Sequence, residues 1–268
     1  MTGRPVPAAT GAEGNLFLKA LIFPALLVAL WAGLDGLGWT NDRLFASPAD
    51  VIVTLAEDTA SGALPGAALA SLARALGGWA IGATAGLIFG VALGTLGLLR
   101  AVFDPTVVGL RQIALFAWIP LLSAWLGNGE SMKITLIALG AFFPMALAAQ
   151  AACQTIPQGW REVGLVLDLT RAEQLRTIVL PAALPGILAG VELSLNVAWL
   201  GTFGAEYLIG TGYINGAGDG IGAYLSAARE YLRMDRVLLG VLVLGLIGVS
   251  LDRLIVHLSR KVAPWQRP

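Results

Sequence analysis

The stretch RALGGWAIGATAGLIFGVALGTLGLLR, residues 74–100, carries no charge between its terminal arginines. A membrane span needs roughly 20 consecutive apolar residues, and this run exceeds that. Lipid offers the backbone no hydrogen-bond partners, so a run of this length must satisfy its own N–H and C=O groups as a helix. Gly78, Gly82, Gly86, Gly90 and Gly94 recur every four residues within it. That spacing clears one helix face of side chains, so that another helix can approach closely, within one bundle or at a moving interface.

The rest of the chain matches this opening. Of 268 residues, 57% are hydrophobic and 13% charged, and mean hydropathy is +0.77. Soluble domains carry about 25% charged residues, so the composition is that of an integral membrane protein. Charge-free intervals place six helices near 16–37, 72–99, 105–127, 132–153, 178–203 and 236–257. The class is an all-α polytopic membrane protein, without the residue alternation of a transmembrane barrel. The first run has a weak basic flank and no convincing cleavage site, so it reads as a helix and not as a signal peptide. A division follows: 1–44 as tail and first span, 45–268 as the core. Lys plus Arg equal Asp plus Glu at 17 each, which leaves no footprint for nucleic acid. Cys153 is alone, so no intrachain disulfide forms, and it reads as packing.

Six spans put both termini on one side. That side holds Arg4, Lys19, Arg100, Arg161, Arg171, Arg176, Arg260, Lys261 and Arg267, against Arg43, Arg229, Arg233 and Arg236 on the other, with Lys133 at its edge. The excess of basic residues marks the cytoplasmic side. Residues 154–177 are then the longest internal cytoplasmic connection. They contain six charges after Gln158 and an apolar row of Val163, Leu165, Val166, Leu169 and Leu175. A surface-lying amphipathic helix, a docking element for a soluble partner and a plain solvated connection all fit that make-up.

Spacing narrows the choice. EVGLVLDLTRAEQLRTIVLP, residues 162–181, resembles the cytoplasmic loop of ABC importer permeases that reads Glu-Ala-Ala, three residues, Gly, nine residues, Ile, one residue, Leu-Pro. Glu162, Ile178, Leu180 and Pro181 fall in place without a gap. Val163 and Gly164 stand for the alanines, and Asp168 for the glycine. Asp tolerates turn conformations better than most residues. Arg161 and Arg171 flank the motif's charged half. SPADVIVTL (47–55), SLARALGGWAIGATAGLIFG (71–90), WIPLLSAWLGNGESMKITLIALGAFFPMAL (118–147) and LPAALPGILAGVELSLNVAWLGTFGAE (180–206) are similar to the nitrate, sulfonate, taurine and bicarbonate subgroup.

The resemblance implies a type I ABC importer permease fold without catalytic or metal-binding residues. It implies a partner ATPase in two copies, which uses ATP and Mg, a periplasmic or lipid-anchored substrate-binding protein, and a second permease copy. It places the chain in a bacterial inner membrane, in contact with lipid, with a sulfonate or taurine-type anion as the first choice of cargo. The chain itself has no G-x-x-x-x-G-K-[ST] phosphate loop and is expected to bind no cofactor. Two other classes stay in view. A self-sufficient secondary transporter needs a mid-membrane ion site in repeated halves, and a lipid enzyme needs clustered polar groups at the interface; neither pattern is present.

Candidate pathway residues are Arg111, Glu192, Asn196, Trp199, Phe203 and Glu206. Carboxylates within spans are costly and face a cavity or a partner; the subgroup commonly has Arg in place of Glu192 and again at Val197. Trp199 and Phe203 fit either a gate or an interfacial anchor. Pro181 and Pro185 mark the entry to the fifth span as a hinge or elbow. The segment GTGYINGAGDGIG (210–222) reads as an outer loop in which Asp219 caps the following helix. His257 reads as a surface residue.

Overall fold

The computed structural model of the chain describes residues 12–37, 46–209 and 220–262. The readings placed on Arg4, Arg43, Arg267 and the loop 210–219, Asp219 included, lie outside these residues. Helix α1 (Ala12–Gly36) is followed by α2 (Pro48–Ala60), α3 (Ala63–Thr95) and α4 (Gly97–Leu110). A 3-10 turn (Leu115–Trp118) leads into α5 (Ile119–Leu126), then α6 (Glu130–Gln154). Two short helices, α7 (Gln158–Val166) and α8 (Arg171–Gln174), precede a π-helical turn (Leu175–Val179) and α9 (Leu180–Ile209). Helices α10 (Ile221–Glu230) and α11 (Met234–Val262) complete the order, and no strand occurs among the described residues.

Four helical segments are long and apolar enough to cross a membrane: Ala63–Thr95, Glu130–Gln154, Arg171–Ile209 and Met234–Val262. They contain the spans expected at 132–153, 178–203 and 236–257, the one expected at 72–99 stops early, at Thr95, with 97–99 in α4, and α1 covers most of the one expected at 16–37. The span expected at 105–127 is not a single straight helix. Gly97–Leu110 and Leu115–Leu126 meet at 94°. Pro120 accounts for a second interruption, between the 3-10 turn and α5. A helix running through it would lose the N–H bond to Phe116 and clash with that carbonyl. Restarting at Ile119 puts Pro120 in the first turn, where no N–H is needed.

Between the spans expected at 16–37 and 72–99, the described residues hold one further helix, α2. Ser47 caps α2: its hydroxyl accepts from the Asp50 N–H at 3.0 Å, and Asp50 accepts from the Ser47 N–H at 3.2 Å. Pro48 occupies the first helical position, where its fixed φ is already helical. A turn at Ser61–Gly62, with Gly62 at φ 77°, then starts α3 at Ala63, nearly three turns before the expected span.

The glycine face of α3 packs on α6. A Cβ at Gly78 would stand 2.6 Å from the Ile137 side chain and 3.2 Å from the Ile134 carbonyl. At Gly82 it would land on the Ala138 carbonyl oxygen, at Gly86 2.5 Å from that of Phe142, and at Gly90 on that of Ala146. Gly94 meets the Gln150 carbonyl at 3.0 Å and the Cys153 side chain at 2.6 Å. Both helices advance four residues per step, so they run parallel in one fixed register. No Cβ fits between them, which is the close approach that small residues permit in lipid. Met145, Ala149, Ala152 and buried Cys153 then close the core against Ala183 and Ile187 of α9.

Gly82→Val should cost at least about 3 kcal/mol, since overpacking here meets backbone and not a movable side chain. Gly77→Val, on the same helix with nothing within 4 Å of its Cβ, should leave the midpoint of thermal unfolding in detergent unchanged. Equal loss in both variants would contradict this packing.

Candidate functional site

Residues 158–181 form a bent two-helix segment at the end of α6. Helix α7 ends at Asp168, which adopts φ 50°. The Asp168 N–H bonds to the Leu165 carbonyl at 3.1 Å, and the Leu169 N–H to that of Gly164 at 3.0 Å. This is a Schellman closure with Asp in the left-handed position that glycine usually takes, at the place where the resembled loop carries its glycine. Thr170 then caps α8 through a reciprocal pair with Glu173: its hydroxyl accepts from the Glu173 N–H at 3.3 Å, and the Glu173 carboxylate accepts from the Thr170 N–H at 2.8 Å.

The prolines do not mark an entry from a loop into a span. Helix continues from Arg171 through Ile209, with Pro181 and Pro185 inside it. The π turn just before Pro181 reconciles these facts. The Leu180 N–H reaches back five residues to the Leu175 carbonyl, so the backbone is already wide where the proline ring arrives.

The segment faces two ways. Gly164 is buried, and a Cβ there would stand 3.0 Å from both Gln174 and Ile178, so α7 lies close on the π turn. Outward, Trp160, Val163, Leu165, Val166 and Leu167 are all more than half exposed, and Glu162 is exposed beside them. Arg161 lies on the same helix. Ile178 and Pro181 line a cleft of about 460 Å³ together with Ile156, Pro157, Trp160 and Pro185. Arg171 and Leu180 line a second cleft, of about 1020 Å³, against Leu87, Val91 and Leu98.

At the opposite end of the bundle lies a network that sequence reading had represented by Glu206 alone. Glu206 is 1% exposed. It accepts from the Ser71 hydroxyl at 2.6 Å, from Arg74 at 2.9 Å and from the Gly222 N–H at 3.0 Å. Ser71 in turn accepts from the Ile221 N–H at 2.8 Å. The first turn of α10 is thus capped by side chains of α9 and α3. Gly220 holds its N-cap, at φ 93°, where a Cβ would land on the Glu206 carboxylate. Arg74 also grips Glu130 with two bonds, at 2.6 and 2.8 Å, and Lys133 reaches the same carboxylate at 3.4 Å. Arg74 and Glu130 occupy the next step of the α3–α6 register beyond Gly78 and Ile134. The available signal was that Arg74 opens one charge-free run and Glu130 closes another.

The other pathway candidates do not gather around Glu206. Asn196 is exposed on α9 in a stripe with Ala189, Leu193 and Leu200, and its amide lies 3.5 Å from Asp252. Glu192 is half-buried one turn away. Trp199 is buried; its Nε1 would lie 3.0 Å from a Cβ at Gly248 of α11. Its place is therefore the packing between α9 and α11, not an open surface. Phe203 is half-buried against Tyr207, with ring centroids 5.5 Å apart. Arg111 is exposed at the break after α4.

Residues 82–264 match the model of the family described as binding-protein-dependent transport system inner membrane component. The chain belongs to this family. It is 33% identical over 93% of its length to a putative aliphatic sulfonates transport permease of Bacillus subtilis (strain 168), covering 88% of that protein. It is 33% identical over 67% of its length to the taurine transport system permease of Escherichia coli (strain K12), covering 63% of it. To the nitrate import permease of Synechocystis it is 31% identical over 74% of this chain and 70% of that one. Its fold is like that of a chain of the MetNI methionine ABC transporter in an inward-facing conformation, with TM-score 0.51 and 23% identity over 69% of this chain and 92% of that chain. The protein is thus a multi-pass transmembrane subunit of an ABC importer, with the expected all-α permease fold, and not itself an enzyme.

Breaking a buried charge pair costs about 3 kcal/mol or more, because it strands the remaining charge. Arg74→Ala should therefore destabilise strongly. A double-mutant cycle of Arg74→Gln with Glu206→Gln should show coupling above about 1 kcal/mol. Strict additivity in thermal unfolding would contradict the network.

Proposed function

We propose that two copies of this chain enclose a passage for a small organic anion of the sulfonate or taurine type, driven by a separate ATPase. The observation that carries this reading is the outward surface of α7. It is a short helix that, with its C-cap Leu167, exposes five apolar side chains and one acid, backed by the close contact at Gly164 and ended by the Asp168 closure. A solvated connection has no reason to expose Trp160, Val163 and Val166 together, whereas a partner that covers them gains their burial.

In this reading each permease copy docks one ATPase copy through α7, and ATP and Mg are used on that partner. The termini and α7 face the cytoplasm of a bacterium. A binding protein, free in the periplasm or lipid-anchored, delivers the anion at the Glu206 end. The α7 helix is joined through α8 and the π turn to one helix that runs on to Glu206. Motion at the docking surface therefore reaches the far end along a single element. The exposed α9 stripe at Asn196, with Glu192 beside it, is the proposed face toward the passage and the second copy. The substrate class is supported by relatives named for aliphatic sulfonates and taurine. Arg111 is the proposed cationic contact, since an anion leaving water unpaired pays a large desolvation cost.

Glu162→Lys and Val166→Asp should each lower ATP-driven uptake and ATPase co-purification by about tenfold or more, as expected when a docking contact worth over 1.4 kcal/mol is lost, while membrane insertion persists. Unchanged uptake and co-purification in both variants would reduce α7 to a connector. Arg111→Gln should slow uptake without changing the preference among taurine, an alkanesulfonate and nitrate. A switch of preference with the binding protein held constant would place selection inside this chain.

A further inference from the structure

Helix α2 has three distinct faces. The first is docked. Val51, Thr54 and Asp58 are buried. Asp58 accepts from the Tyr224 hydroxyl at 2.6 Å and from Arg236 at 2.8 Å, and the Thr54 hydroxyl donates to Asp235 at 2.7 Å. Burial, and then the bond to Asp58, push the Tyr224 phenol above its ordinary pKa. Val51 packs with Ala46, Leu64 and Leu239, and Trp31 of α1 lies against them. The helix therefore turns polar groups toward the protein.

The second face holds Asp50 and Glu57, both exposed. The third holds Ala49, Ile52 and Ala56 at i, i+3 and i+7, flanked by Val53 and Leu55. Ile52 is 67% exposed and Val53 55%, and these five residues carry no side-chain polar group. Polar residues inward and apolar residues outward is the reverse of a helix on a water-soluble surface.

Depth decides what meets the third face. The contacts of α2 lie at the first turns of α3 and α11, where Arg233, Asp235, Arg236, Tyr224 and Trp31 gather. Charges and amphipathic aromatics of this kind mark the boundary between hydrocarbon and headgroups. Helix α2 packs against α1, α3 and α11, a different flank from the α9 stripe that is the proposed pairing face. Its strip also lacks the aromatic or Arg anchors that dominate protein interfaces.

We propose that α2 lies in the plane of the membrane on the side opposite α7. Ala49, Ile52 and Ala56 rest in the headgroup–acyl boundary of the lipid, and Asp50 and Glu57 stand along its aqueous edge. An interfacial helix buries its apolar face at this level of the bilayer. Its ties to Tyr224 and Arg236 then fix the depth of α10, and with it the amides that Glu206 and Ser71 hold.

The test is nitroxide accessibility in the full chain, reconstituted in phosphatidylcholine nanodiscs in a Cys153→Ala background. Labels are placed singly at Ala49→Cys, Ile52→Cys and Ala56→Cys, and at Asp50→Cys and Glu57→Cys. All five positions are exposed and outside the docked contacts; Asp50→Cys removes one bond of the α2 cap, and Glu57→Cys, which leaves the cap intact, reads the aqueous edge if that variant does not fold. Collisions with oxygen, which concentrates in lipid, should exceed those with a water-soluble nickel chelate at 49, 52 and 56, and the ratio should reverse at 50 and 57. Nickel dominance at all five positions would place α2 in water. Exclusion of both reagents at 49, 52 and 56 would place a protein surface there, a second copy included. Either result overturns the proposal.

Discussion

The structure depends on the register between α3 and α6. Gly82, Gly86 and Gly90 sit where a side chain would collide with the carbonyls of Ala138, Phe142 and Ala146. Between apolar helices in lipid there is no hydrophobic drive to associate, so close backbone packing supplies the attraction. Carbonyl-to-glycine contacts at every fourth residue also forbid a slip by one or two positions. The pair is clamped at one end by Arg74 on Glu130, which continues the same register. At the other end Gly94 meets Gln150 and Cys153, just before the chain leaves α6 for α7.

On this frame the two functional ends are mounted differently. The Glu206 end is tied by charge: α3, α6, α9 and the start of α10 converge on Arg74 and Glu206, with the Ser71 hydroxyl and the Ile221 and Gly222 amides bonded into the same network. In low dielectric such a network is costly to open partway. The α7 end is tied by shape alone, through Gly164 against Ile178 and the clefts beside Pro181 and Leu180. A π turn and two prolines lie in the helix that joins them. The more adaptable end is thus the one proposed to meet the ATPase.

Much of this was legible in the sequence because a few rules act strongly in lipid. Uncharged runs located the long helices, and four-residue glycine spacing announced a close contact. Glu162, Ile178 and Leu180–Pro181 marked the segment proposed to meet the ATPase, and Asp168 bends where the resemblance puts a glycine. The rest needed three dimensions. Ser47 and Asp50 did spell a capping box, but α2 carries Asp50, Glu57 and Asp58 and so fell outside the uncharged runs. Pro120 breaks a run whose apolarity looked continuous. Trp199 and Asn196 are only three residues apart and both reach α11, at Gly248 and Asp252, yet the indole is buried and the amide exposed. Arg74 looked like the boundary of a span and is instead the partner that makes buried Glu206 tolerable.

The central claim is that α3 and α6 move as one body while the α7 segment shifts against them. Double electron–electron resonance tests it directly, in the full transporter with and without trapped ATP. One label pair stands at the exposed positions Leu69 on α3 and Gln154 on α6, and a second pair at Leu69 and Val166 on α7. The account predicts one unchanged distance distribution for the first pair and a displaced one for the second. A nucleotide-dependent change in the first pair approaching one helical turn, about 5 Å, would show that the register slides and would contradict it.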